Sequence, residues 1–203
     1  MRPAKLTDSV QRGQILAAAE AEFAARGYHK TSMAAIAKAC EISPAHLYNF
    51  FTGKTEIALE LATQIGAAVS ARVRRKTARV DGPVEEKIRA FLLFDLQETY
   101  SVLDKSPGLI DFFAIILEKH PEIANAFLAT NRDALVEVLY QGIADGVLKL
   151  AEPQFTAECI QAATIKYRYP QWTSALTLRE LELELTGLVH ILLRGIMNTG
   201  DSH

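Results

Sequence analysis

Cysteine and tryptophan are scarce in this 203-residue chain, with two of the first and one of the second. Cys40 and Cys159 are far apart, form no CxxC pair and match no metal-ligand spacing, which excludes a disulfide scaffold and a zinc motif. Both are expected to be small core residues. Long apolar runs are also missing. No stretch reaches about 18 uninterrupted apolar residues, which argues against a spanning helix. The opening MRPAKLTDSVQRGQIL lacks the apolar run and small-residue cleavage site of a signal peptide, so a cytoplasmic location is expected. Charge of one sign is not in excess: 22 Lys and Arg against 24 Asp and Glu leave a net of −2, and with 49% apolar residues the composition is that of a globular protein. No internal repeat, low-complexity tract or sustained alternation with paired turn signals occurs, and a sheet needs the last of these.

Helical periodicity is present almost everywhere, so the chain is expected to be all-α, with about nine helices. The first, Ser9 to Arg26, aligns Ile15, Leu16, Ala19 and Phe23 and stops at Gly27, a residue suited to a helix C-terminus. A short second helix follows, capped by Thr31 or Ser32, with Met33, Ile36, Ala37 and Cys40 inward. A third starts at Ser43. The fourth follows FTGK and ends before Asp81-Gly82-Pro83, a strong loop signal. Beyond it, helices are expected over about Val84 to Val102, Leu109 to Lys119, Pro121 to Ile143, Pro153 to Tyr167 and Leu178 to Met197.

The charge is unevenly spread. Residues 1–54 hold seven basic side chains (Arg2, Lys5, Arg12, Arg26, Lys30, Lys38, Lys54) against four acids, a net of +3, and the remainder holds 15 against 20, a net of −5. Such an asymmetry suggests a basic module joined to an acidic one.

Within the basic part, Ser43 is placed to cap the third helix and Pro44 falls at its first position, where the missing donor costs nothing. Ile42 and Leu47 have the spacing of a hydrophobic staple. Leu47, Phe50 and Phe51 share one face, leaving Pro44, Ala45, Tyr48 and Asn49 on the other. Two short helices joined by a tight turn, apolar inward and small or polar outward, make a helix-turn-helix, whose second helix enters the major groove by its N-terminal end. Pro44 and Ala45 permit close approach to base edges, while Tyr48 and Asn49 reach for phosphates or a thymine methyl. Lys54, in the first turn of the fourth helix, opposes the helix dipole at a cost of about 0.3–1 kcal/mol unless an anion such as a phosphate sits there.

Together the segments FAARGYHKTSM, AAIAKACEIS and PAHLYNFFTGKTEI, within Ile15 to about Leu59, resemble the TetR-type transcriptional regulators. Phe23, Gly27, Tyr28, Thr31, Ile36, Ala37, Leu47, Tyr48, Phe51 and Lys54 stand where that family's pattern expects such residues. The resemblance implies a homodimer that offers two helix-turn-helix units to a palindromic double-stranded DNA operator. It also implies repression, relieved by a small molecule in the C-terminal domain. Thr31, Tyr48 and Lys54 are thereby expected to contact phosphates, with Ser43, Pro44, Ala45 and His46 nearest the bases and backbone. Ala45 replaces a frequent glycine, and Asn49 and Phe50 also depart from the pattern. Asn49 therefore becomes the first residue to test for operator preference.

The expected organisation is a three-helix helix-turn-helix DNA-binding domain over 1–54, a connecting fourth helix over 55–80, and a helical effector-binding and dimerisation domain over 81–203. In the last helix, Leu181, Leu185, Leu188, Val189, Leu192, Leu193 and Ile196 form a broad apolar stripe. By the resemblance, Leu181, Leu185, Leu188, Val189, Leu192 and Ile196 are expected at a dimer interface. Phe91, Phe94, Tyr100, Phe113, Tyr167 and Trp172 are candidates to line a pocket for an unidentified, largely apolar effector, and packed core is the competing reading of each. No catalytic, metal or cofactor motif is present; His120, Cys159 and His190 have no partners at recognisable spacing. The rivals are an enzyme and a DNA-binding protein without ligand control. The long C-terminal half speaks against a bare DNA-binding module but does not separate repressor from activator.

Overall fold

A computed structural model describes residues 8–106, 108–169 and 174–196. Among them are ten helices: α1 (Asp8–Arg26), α2 (Met33–Ala39), α3 (Pro44–Leu47), α4 (Lys54–Thr77), α5 (Val84–Lys105), α6 (Gly108–Lys119), α7 (Pro121–Ala144), α8 (Pro153–Ala163), α9 (Ile165–Arg168) and α10 (Leu178–Ile196). The fold is all-α. The single helix expected from Pro153 to Tyr167 is broken at Thr164, which caps α8 with its amide on the Ile160 carbonyl (3.0 Å) and donates its hydroxyl to the same oxygen (2.8 Å). No helix of the described residues is long and apolar enough to cross a membrane.

The chain forms two compact units. The first combines Met1–Gly66 with Leu103–Ala124, and the second Ala67–Val102 with Asn125–His203. In the first, the buried residues of α1 are Ile15, Leu16, Ala19 and Phe23, the face its period predicts, and burial of each of the three larger ones stabilises by about 1.5–3 kcal/mol. Gly27 ends α1 with φ +80°, a conformation that favours glycine. Packed against α1 is α6, whose Phe112 stacks on Phe23 with ring centroids 5.5 Å apart. At the start of α6, Gly108 lies so close to α1 that a Cβ would come within 2.3 Å of the Ala24 carbonyl oxygen.

The second unit has its own core, with Val73 of α4, Ile88 and Leu96 of α5, Leu135 and Leu139 of α7, Ile160 of α8 and Leu185 and Val189 of α10 among its buried members. Helix α4 belongs to both units, since its residues up to Gly66 pack in the first and Val69 and Val73 in the core of the second. The cysteines depart from expectation. Cys40 is half-buried, with burial raising its thiol pKa, but Cys159 is exposed because the inward face of α8 is Pro153, Ala157 and Ile160.

Gly108→Ala is expected to destabilise the first unit by about 1–3 kcal/mol or more, since backbone cannot yield as a side-chain tip can. Denaturant unfolding measures the loss.

Candidate nucleic-acid interface

Local chemistry defines the second and third helices. Ser32 caps α2 by accepting the Ala35 amide (3.1 Å), and Ser43 caps α3 by accepting that of His46 (3.1 Å), with Pro44 at the first helical position. Between them Glu41 adopts φ +57°, the Glu41 amide bonds to the Lys38 carbonyl and the Ile42 amide to that of Ala37. This is a Schellman turn with glutamate where glycine is the usual choice.

The two faces of α3 separate as their chemistry requires. Leu47 and Phe51 are buried, while Ser43, Pro44, Ala45 and Asn49 are exposed and Tyr48 is 54% exposed. Phe50, read as core, is half-buried, with its ring meeting that of His46 edge-on at 5.3 Å. His46 is half-buried and its Nε2 lies 2.9 Å from the Gln11 side-chain nitrogen. An amide nitrogen only donates, so in this contact Gln11 donates and Nε2 accepts. The ring thus links α3 to α1.

Two expected phosphate ligands are placed differently from the rest. Thr31 is only 2% exposed, and its hydroxyl donates to the carbonyls of Gly27 (2.9 Å) and Glu22 (3.2 Å). It is turned inward because a buried hydroxyl must find acceptors. Lys54, the first residue of α4, donates from Nζ to the carbonyls of Tyr28 (2.7 Å) and Thr31 (2.8 Å), with the ammonium 4.3 Å from the Tyr28 ring centroid. Partial burial lowers its pKa. Two of its three donors therefore hold the α1–α2 turn, and the carbonyl dipoles offset the adverse helix dipole that an anion was expected to neutralise.

A second brace was not anticipated. Arg12 of α1 forks onto Glu60 of α4, with Nε 3.0 and 2.9 Å from its carboxylate oxygens, donates Nη1 to the Phe50 carbonyl (2.6 Å), and lies 4.0 Å over the Phe51 ring. Arg26 is paired with Glu22. Of the basic residues counted in the N-terminal part, Lys30 and Lys38 are exposed and have no ion-pair partner among the described residues, while Arg2 and Lys5 lie outside those residues. The signal for Arg12 was a basic residue one turn ahead of the buried face of an amphipathic helix, but its partners are 38 and 48 positions away.

This arrangement is a helix-turn-helix: a capped short helix with a small, polar outer face, fixed from behind by two cations. Residues 15–61 match the family profile described as "Bacterial regulatory proteins, tetR family", and residues 84–189 match "Tetracyclin repressor-like, C-terminal domain". The chain belongs to the TetR family. It is a transcriptional regulator with a DNA-binding helix-turn-helix, in a family of regulators rather than enzymes. TetR-family regulators bind DNA as dimers, respond to small molecules and typically repress. No functionally curated protein matches the sequence.

Solved structures share the fold. A TetR-family transcriptional regulator from Pectobacterium atrosepticum is 18% identical with a TM-score of 0.73, covering 96% of this chain and 97% of that one. FadR of Thermus thermophilus, a TetR-family repressor solved with lauroyl-CoA, is 24% identical with a TM-score of 0.67 over 95% and 98% of the two chains. FadR of Bacillus subtilis, solved with stearoyl-CoA, is 20% identical with a TM-score of 0.66 over 91% and 98%. At these identities the likeness speaks for the fold alone.

In this TetR-family chain the expected effector residues do not all come together. Phe91 and Tyr167 are buried in the second core, and Phe94 and Tyr100 pack half-buried against it. Phe113 is elsewhere: α6 packs in the first unit, and the Phe113 ring meets Phe112 at 4.9 Å. Trp172 lies outside the described residues. Of the expected dimer stripe, Leu181, Leu185 and Val189 are buried in their own chain's core, while Leu188, Leu192 and Ile196 pack half-buried against it and keep part of their surface exposed. The apolar side chains that α10 leaves outside are Leu183 and Ile191, each 67% exposed. Among the described residues no three His, Cys, Asp or Glu side chains converge in a way that could hold a metal ion.

Proposed function

We propose that this regulator is a homodimeric repressor that holds a palindromic operator with two copies of α3 and releases it when a small molecule occupies the second unit. The observation that carries the reading is the exposed row Ser43, Pro44, Ala45, Tyr48 and Asn49 above a fully buried Leu47 and Phe51. Pro44 and Ala45, with little side chain, let the helix approach base edges. Tyr48 donates its hydroxyl to a phosphate. Asn49 presents an amide of the kind that pairs with adenine through two hydrogen bonds. His46 contributes at the flank, its orientation set by Gln11. Lys30 and Lys38 supply the uncommitted positive charge that phosphates attract, while Thr31 and Lys54 work from behind by fixing the turn.

A palindrome requires two-fold symmetry, with reading helices about 34–36 Å apart or a multiple of that. Leu183 and Ile191, separated by two helical turns with Gly187 midway on the same face, are proposed as the surface a second copy covers. Control runs through α4. A ligand that changes how Val69 and Val73 seat in the second core acts on one continuous helix whose first residue is Lys54, and so on the spacing of the two reading heads.

Selection of bound DNA from a random pool is expected to return an inverted repeat. Asn49→Ala is expected to relax one position in each half-site, costing about 1–3 kcal/mol there. An unstructured, purely salt-dependent preference would overturn the reading. Leu183→Asp combined with Ile191→Asp is expected to turn a dimer into a folded monomer on sedimentation and to abolish tight operator binding; an unaltered dimer would exclude this face.

A further inference from the structure

The core of the second unit is not wholly apolar. Within the same unit Arg168 of α9 is 3% exposed, Asn131 of α7 is 1% exposed and Asp95 of α5 is 9% exposed. Arg168 donates from Nη1 to Asp95 Oδ2 (2.6 Å), and Asn131 donates its side-chain amide to Asp95 Oδ1 (2.6 Å). The guanidinium lies 4.4 Å over the ring of Phe127, which packs against the apolar core. A charge in such a place is costly unless every donor and acceptor is matched.

They are not matched. Arg168 Nε and Nη2, Asn131 Oδ1 and, one turn beyond Asp95 on α5, Thr99 Oγ1 are buried without a hydrogen-bond partner. The identity of the two unpaired nitrogens is informative. Nε and Nη2 share one edge of the guanidinium and point their N–H bonds in parallel, the fork that takes a carboxylate with two bonds. Asp95 engages Nη1 and leaves that fork open. Tyr169 lies beside the same charges: burial raises its pKa and Asp95 adds to the rise, while Arg168 opposes it through its charge and as a hydrogen-bond donor to the phenol oxygen.

We propose that Arg168 receives the carboxylate of this regulator's effector through Nε and Nη2, and that the effector is a small acid with an apolar body. Asp95 and Asn131 act as positioning residues that hold the guanidinium on Phe127. Asn131 Oδ1, an acceptor, suits a hydroxyl or N–H on the same ligand. A single guanidinium already paired with Asp95 suits one negative charge better than a phosphate dianion, and the Phe127 ring against the guanidinium, itself packed on the apolar core, suits a hydrocarbon or ring. The inference rests on the ligand-responsive reading above and specifies its chemistry.

The test uses the full-length protein with octanoate, decanoate and phenylacetate as probes, each beside its primary amide. Binding is followed by calorimetry and by the rise in melting temperature that a ligand of the folded state produces. At least one acid is expected to bind roughly tenfold or more tightly than its amide. Arg168→Gln should remove that preference. Asp95→Asn retains an acceptor for Arg168 while removing the competing charge, and should tighten the acid roughly tenfold or more; it decides the matter if Arg168→Gln does not fold. No acid preferred over its amide by the wild-type protein, or a preference untouched in a folded variant, would overturn the proposal and assign the trio to structure alone. Operator binding measured in parallel separates the two readings. An acid that binds without loosening DNA supports this site and defeats ligand control through it, whereas intact operator binding with no acid bound defeats this site alone.

Discussion

The joint at Lys54 governs the rest of the reading head. A lysine at the first position of a helix is electrostatically misplaced, yet here its ammonium gathers the carbonyls of Tyr28 and Thr31 in the turn between α1 and α2. Thr31 closes the same turn from the other side by donating to Gly27 and Glu22. The turn is thus fastened to the N-terminus of α4. Arg12 performs the matching task at the far end of α3, where it holds the Phe50 carbonyl and Glu60 of α4 together. Between these fastenings α3, only four residues long, needs little stability of its own.

The functional consequence follows from chain continuity. The helix that carries Lys54 and Glu60 also carries Val69 and Val73, members of the second unit's core. In that core the one buried charged cluster, among the described residues, is Asp95 with Arg168. A family that couples a small molecule to DNA release needs a bistable element touched by both events. Here α4 runs from the first packed unit, where it carries Lys54, into the second, as α5 and α7 also pass between them.

Much of this was readable from sequence for definite reasons. The inward face of α1 follows from its period, and the Ser43-Pro44 start of α3 from capping chemistry that acts within a few residues. What was not legible depended on partners distant in the chain. The charge of Lys54 at a helix start is odd from sequence alone, and the carbonyls that offset it lie 23 and 26 positions away. The stripe on α10 was real, and a helical period cannot say whether its partner is the same chain or another; the residues left outside, Leu183 and Ile191, lie off the stripe. Phe113 was grouped with the other aromatics by position along the chain, while α6 packs on α1. Asp95, Asn131 and Arg168 gave no local signal at all, since they are separated by 36 and 73 positions.

The most direct test of the account is operator affinity as a function of salt for the wild-type protein and Lys54→Gln. A brace that shapes the reading head without touching the backbone predicts weaker binding at every salt concentration and an unchanged slope of log affinity against log salt. A slope flattened by about one unit would make Lys54 a phosphate ligand and contradict the account.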